Sequence, residues 1–340
     1  MSDTTQIRSV AILLPDMIGT TICAMPAVEA IRAALPAARM TLLGFSRVTE
    51  LLRDEPASAE GLRLLDLARL DDDLSVAFSE DGIPDMVFDF LSTPESEAAL
   101  AKAHVPRRVG WPNEGLDTPG PTLAVPYPGE RCQQSVQDYL DFATVAGLDA
   151  SFSPPKLIAS EATRGAARRW LDANNAGDDR LFVLGIGGGN DRKRWPLSRY
   201  LELATWIEGR GGGRPLFFAG PREVEIAARL RRELPSALVA ESLPLDLAKG
   251  LVAQCHLAVC NDHAIMHLAA ALGVLTVGLF LASDPTEWFP YAPPSSYVMG
   301  PPLDCRPCYT EDCQDWTCND PSLMAQVKAR CEVFLATPER

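Results

Sequence analysis

The sequence predicts an α/β protein of two doubly wound domains in tandem, facing one another across a cleft. Short apolar runs alternate with helical patterns from Val10 to Phe280, the rhythm of a parallel sheet covered by helices. The chain has 340 residues, 47% of them hydrophobic, more than one domain usually holds, since single cores stop growing at about 250–300 residues. The aperiodic stretch Ala150–Ser160, with Ser151, Ser153, Pro154 and Pro155, breaks the series in two and reads as an interdomain connection.

In the first domain, residues 1–155, the strand Val10–Leu14 leads to a helix over Pro26–Leu35, with Val28, Ile31 and Leu35 on one face. The strand Met40–Gly44 completes a βαβ unit, and Met86–Phe90 and Arg108–Gly110 continue the sheet. The acidic run Asp71–Asp73 reads as a solvated turn. The second domain, residues 156–321, starts with a helix near Thr163–Ala173. It continues with strands at Leu181–Ile186 and Pro215–Gly220 and helices at Leu197–Glu208 and Pro221–Leu234. The strand His256–Cys260, a helix after Asp262 and the strand Leu275–Phe280 complete it. The segment 322–340 carries a last helix, about Ser322–Leu335, able to pack on either domain. Ligands of open α/β sheets bind beyond the carboxyl ends of the strands.

With 31 basic against 45 acidic residues the net charge is −14, which opposes binding to a phosphate backbone and argues against nucleic acid as a partner class. The polar start Met1–Gln6 has no basic n-region, and no apolar run reaches the roughly 20 residues that span a bilayer. The expected location is the cytoplasm, with at most peripheral contact at a membrane surface. In that reducing compartment the nine cysteines are thiols by default.

The chemistry concentrates at Val259–Gly273, an apolar run that ends in Asn261-Asp262 and turns into an amphipathic helix. A strand, a tight turn and a helix N-terminus with unpaired N–H groups favour an anion such as phosphate. The bland alternative is that Asn261 or Asp262 only caps the helix. Upstream, Gly185, Gly187, Gly188 and Gly189 follow a strand, and such a loop lets backbone approach a ligand. Lys193-Arg194-Trp195-Pro196 follows, with cations suited to a diphosphate.

Four segments, in order, resemble glycosyltransferase family 9, the bacterial heptosyltransferases of lipopolysaccharide core assembly. They are Ile18-Gly19-Thr20 with Pro26–Ile31; Lys193-Arg194-Trp195-Pro196; Asn261-Asp262 with Met266–Gly273; and Asp284-Pro285 with Trp288, Pro290 and Tyr291. The resemblance implies a GT-B fold with the acceptor held mainly by the first domain and the nucleotide-sugar by the second. It implies inverting transfer of heptose from ADP-heptose to a glycan, a lipid-linked glycan or a protein, with no cofactor needed for the chemistry, at the inner face of the inner membrane. On the resemblance Lys193 neutralises the diphosphate and Asp262 and His267 hold the donor; the loop residues Gly187 and Gly188 and the altered pair His263 and Ala264 complete the candidate donor-binding set.

Departures from the family pattern are equally specific. The family places an aspartate, the general base, where this chain has Thr20, and a threonine hydroxyl accepts no proton usefully near neutral pH. Asp16 is the nearest carboxylate, so Asp16 and Thr20 mark the candidate catalytic loop. The alternative is a non-catalytic, donor-binding relative that has lost its base. His263-Ala264 stands where the family has Ser or Thr and then Gly, and Leu281-Ala282 where it has Gly-Pro. His263 and His267 stand four apart, a metal-capable spacing, but a donor or packing role for His267 is preferred. Finally, Cys305, Cys308, Cys313 and Cys318 fall within fourteen residues, a set suited to structural zinc or iron or, equally, to free thiols or a facultative disulfide. Trp316 is expected to pack on that knuckle.

Overall fold

The structure is a computed structural model that describes residues 7–54, 62–67, 74, 78, 82–113, 119–127, 135–220, 223–290, 292, 294–308, 313 and 316–336. Met1–Gln6, the Asp71–Asp73 run, Pro221 and Tyr291 lie outside the described residues. The chain divides into two compact units, Met1–Pro155 and Lys156–Arg340.

The first unit runs β1 (Ser9–Leu13), α1 (Ile18–Ala34), β2 (Arg39–Gly44), α2 (Ser46–Leu52), β3 (Leu62–Asp66), β4 (Met86–Asp89), α3 (Pro94–Lys102), β5 (Arg108–Gly110), β6 (Leu123–Ala124) and α4 (Ser135–Val145). Its strands form one parallel sheet in the order β3-β2-β1-β4-β5-β6. Ile12 pairs with Leu42 on one side and Phe88 on the other. All of β4 and all but the first residue of β1 are buried, as expected where helices cover both faces of a parallel sheet.

One expectation fails at α1, which begins at Ile18, about two turns before Pro26. Pro26 lies inside the helix and is buried, although a proline there removes one hydrogen bond of the ladder. The helix continues because Thr21 to Val28 are buried without a break and α1 packs along α4. Tertiary burial therefore overrides the local stop signal.

The second unit runs α5 (Glu161–Ala173), β7 (Leu181–Gly185), a 3-10 turn (Asp191–Lys193), α6 (Leu197–Glu208), β8 (Arg214–Ala219), α7 (Val224–Glu233), β9 (Leu238–Glu241), α8 (Leu245–Val252), β10 (Leu257–Asn261), α9 (Ala264–Ala271), β11 (Leu275–Phe280), α10 (Pro285–Trp288), β12 (Ser295–Met299) and α11 (Leu323–Leu335). Its sheet is again parallel, ordered β12-β11-β10-β7-β8-β9. Both sheets thus have the same winding. The chain leaves the centre toward one edge, returns, and leaves toward the other, which creates a crevice between the first and fourth strands of each unit. The core of this unit joins Phe182, Leu184, Val259 and Val277 of the sheet to Leu323, Met324, Val327 and Cys331 of α11. The last helix therefore belongs to the second unit.

Candidate functional site

In the second unit the crevice lies between the ends of β7 and β10, and Asn261 builds it. Its side chain is fully buried and every polar atom is used. Oδ1 accepts from the Trp195 backbone N–H at 3.0 Å and the Tyr200 hydroxyl at 2.8 Å, while Nδ2 donates to the carbonyls of Ile186 and Gly187 at 3.0 and 2.9 Å. Asn261 therefore ties the glycine loop, the Lys193–Pro196 segment and α6 to one strand end. It neither caps α9 nor faces a ligand; the N-cap is His263, whose side chain makes no capping bond. The first N–H groups of α9 thus receive no cap from the N-cap side chain, the arrangement that favours an anion.

Asp262 follows, with 5% of its side chain exposed, and accepts from Lys193 Nζ at 2.6 Å. His267 Nε2 stands 3.9 Å from the other carboxylate oxygen, and its ring meets Trp288 edge-on at 6.3 Å. The Lys193 ammonium also lies 5.8 Å from the Trp288 ring centre. Burial pushes His267 down to about 4, and burial also lowers His263. Both imidazoles are thus neutral at pH 7, so the site's positive charge comes from Lys193 and Arg194. Arg194 is committed elsewhere: its guanidinium donates to the Gly188 carbonyl at 3.0 and 3.2 Å and lies 3.8 Å from Glu223. An ammonium has three donors, so Lys193 keeps capacity for phosphate oxygens beside Asp262.

The glycine loop has a sharper role than the sequence suggested. A Cβ on Gly187 would stand 2.9 Å from the His263 ring, and one on Gly188 would stand 3.0 Å from Arg194 Cγ. Gly187 thus makes room for the imidazole that replaces the family's small residue. His263 Nδ1 is buried without a hydrogen-bond partner, and Ala264 opens α9 beside it. Sequence reasoning missed Glu287, a half-buried acid on α10 raised chiefly by burial and influenced by Lys193 and Asp262. Its signal lay in Asp284-Pro285, which starts α10: Asp284 accepts the Thr286 N–H at 2.7 Å.

The tail cysteines line one cavity of about 270 Å³ together with Ala282 and Arg306. The tail braces the loop after β11, because the Cys308 N–H donates to Ala282 O at 2.8 Å and Arg306 Nε to Leu281 O at 2.9 Å. The departure at Leu281-Ala282 is therefore where the tail is attached. Cys305, Cys308, Cys313 and Cys318 form no disulfide. Among the described residues no group of three or more His, Cys, Asp or Glu side chains is gathered to hold a metal ion, so the zinc or iron set that their spacing allows, alongside free thiols or a facultative disulfide, is not assembled in this arrangement. Trp316, expected to pack on the knuckle, is 39% exposed.

In the first unit the crevice lies between the ends of β1 and β4. Asp16 and Met17 are exposed in the loop that enters α1. Thr20 stands in the first turn of α1 and its hydroxyl donates to the Met17 carbonyl at 2.8 Å, a local bond rather than a catalytic one. Across the crevice, sequence reasoning missed Asp89, an isolated acid inside an apolar run. It is buried, accepts from the Ser92 N–H at 2.9 Å and the Ser96 hydroxyl at 2.6 Å, and is pushed up to about 6 chiefly by burial.

Two Rossmann-like units, each with polar side chains gathered at its crevice, define the GT-B class of glycosyltransferase folds. The model of glycosyltransferase family 9 (heptosyltransferase) matches residues 91–317, and this chain belongs to that family. Lipopolysaccharide heptosyltransferase 1 of Pseudomonas aeruginosa is 33% identical over 121 residues, covering 36% of this chain and 34% of that protein. Lipopolysaccharide heptosyltransferase 2 of Escherichia coli is 29% identical over 206 residues, 57% of this chain and 58% of that protein. The matched regions thus span between about a third and somewhat over half of these relatives' length. The solved structure of the E. coli ADP-heptose heptosyltransferase II superposes with a TM-score of 0.78 at 19% identity, covering 96% of this chain and 98% of that one.

Proposed function

We propose that this chain is an inverting heptosyltransferase that moves heptose, or a related sugar, from ADP-heptose to a lipopolysaccharide-core glycan or a protein. The observation that carries the reading is the Lys193–Asp262 pair at the N-terminus of α9, with neutral His267 beside it. In this reading the second unit, through Gly187, Gly188, Lys193, Asp262, His263, Ala264 and His267, holds the donor. Lys193 and the helix N-terminus stabilise the diphosphate as it leaves, so the transfer needs no metal. The first unit holds the acceptor, and Asp16, exposed beyond β1, takes the proton from the attacking hydroxyl in place of the base absent at Thr20. The tail thiols serve structure.

A second reading, a donor-binding relative without activity, is favoured by one observation, the back-bonded Thr20 hydroxyl. The two readings share a donor site and differ at Asp16.

The test is calorimetric titration with ADP-heptose, with UDP- and GDP-sugars as comparators. Selective saturable binding is expected, and Lys193→Ala should weaken it roughly 10- to 100-fold, the worth of a charge-assisted contact. Unchanged affinity in the variant, with the wild type binding, removes Lys193 from the donor site. Turnover in the wild type but not in Asp16→Asn separates enzyme from binding module.

A further inference from the structure

We infer that Trp111 and Tyr127 form a stacking platform for a sugar ring of the acceptor, an inference that rests on assigning the first unit to the acceptor. Trp111 follows β5 and Tyr127 follows β6, so both stand at the carboxyl edge of the sheet, on the side of the crevice that β4 borders. Tyr127 is 67% exposed, the highest value of any large hydrophobic side chain among the described residues. Its ring meets Trp111 edge-on at 6.2 Å. A tyrosine exposed in this way leaves an aromatic face accessible to a ligand.

What lies beneath is a packed aromatic cluster. Trp111 rests on Phe142 at 4.8 Å and on Tyr139 at 5.6 Å, and Phe90 packs against both at 5.0 and 5.2 Å. The Trp111 backbone N–H donates to the Ser92 hydroxyl at 3.0 Å, and Asn113 Nδ2 donates to the Ser92 carbonyl at 3.3 Å. Ser92 is itself held at φ +44 by its bond to Asp89. A buried carboxyl thus fixes the turn that fixes the indole, and the indole backs the exposed ring. Tyr139, under Trp111, feels the charge of Asp16, so platform and exposed carboxylate share one end of the sheet.

The chemistry selects a sugar. An aromatic face carries partial negative charge, which matches the partly positive C–H face of a pyranose and leaves its hydroxyls free for polar partners. A single exposed ring offers one ring-sized surface, whereas an acyl chain needs an enclosed groove. Tyr and Trp also lose little rotamer entropy on binding, having only two side-chain torsions.

The experiment uses heptose-deficient, deacylated lipopolysaccharide core oligosaccharide as the probe, titrated calorimetrically into wild type, Tyr127→Ala and Tyr127→Phe, with ADP-heptose titrated in parallel. Because Tyr127 is exposed, neither variant threatens folding. Tyr127→Ala should bind the oligosaccharide roughly five- to tenfold more weakly, the size of one aromatic contact. Tyr127→Phe should stay within about twofold, and ADP-heptose binding should be unchanged in both. Oligosaccharide binding that falls in the alanine variant alone supports the platform whether or not the wild type binds ADP-heptose. Wild-type protein that binds ADP-heptose but no oligosaccharide, or equal oligosaccharide binding by all three proteins, overturns the platform and leaves the donor site standing. A loss of ADP-heptose affinity in Tyr127→Ala overturns it as well.

Discussion

Asp89 shows how one residue at a strand end sets local geometry and a pH response together. Its two carboxylate oxygens hold Ser92 and Ser96, and burial raises it from 3.8 to about 6. The folded protein therefore binds this proton below about pH 6, whereas the unfolded chain binds it only below 3.8. Between those values the native state holds more protons, so the contribution of Asp89 to stability falls as pH rises through the window and is fully present below it. In Asp89→Asn the amide keeps an acceptor for the Ser92 N–H and does not titrate. Urea unfolding of both proteins at pH 4 and pH 7 should show the wild type gaining on the variant by up to roughly 3 kcal/mol at the lower pH. A difference independent of pH rules out a raised carboxyl at this position.

Among the elements, the contact between α5 and α8 gives a pair of predictions of opposite sign. A Cβ on Gly250 in α8 would stand 2.6 Å from the Thr163 backbone carbonyl of α5, whereas one on Gly165 in α5 would meet only the end of the Arg169 side chain at 3.6 Å. Gly250→Ala should destabilise by about 1–3 kcal/mol through forced separation of the helices, while Gly165→Ala should stabilise by about 0.5–1 kcal/mol through helix propensity. Thermal unfolding of the two variants checks this, and shifts of the same sign contradict the packing described. Elements of this kind were legible in the sequence where an apolar run was long and bounded. The strands around Ile12, Phe88, Leu184 and Val277 and the β10–α9 junction are examples. Strands β3, β6, β9 and β12 were not, because Leu123–Ala124 is too short to show a period and Ser295–Met299 starts with two serines. The start of α1 was hidden by Pro26, whose local signal loses to burial. Lys193, Asp262 and His267 were singled out because they lie in contiguous motifs, and the fold brings the three side chains together. Asp89, Glu287 and Asn261 as a scaffold emerge only when distant strands place them, since Asn261 reaches Ile186 and Trp195 through hydrogen bonds that no spacing encodes.

For the whole molecule, the repeated winding places a crevice at the carboxyl ends of both sheets, and the net charge of −14 opposes contact with an anionic surface. An anionic bilayer repels such a protein at low ionic strength, where the Debye length is roughly 30 Å at 0.01 M salt. Among the described residues no helix is long and apolar enough to cross a membrane. On the proposed reading the acceptor glycan, and not the anionic bilayer, is what holds the chain at a membrane. Co-sedimentation with phosphatidylglycerol vesicles in about 0.01 M salt should leave the protein in the supernatant, while the same vesicles carrying heptose-deficient lipopolysaccharide should pull it down. Raising the salt should strengthen the second association, because screening removes like-charge repulsion while glycan contacts persist. Tyr127→Ala should weaken that capture. Binding to plain anionic vesicles that disappears with salt would instead show a basic face strong enough to overcome the overall charge, and the membrane rather than the glycan would be the first partner.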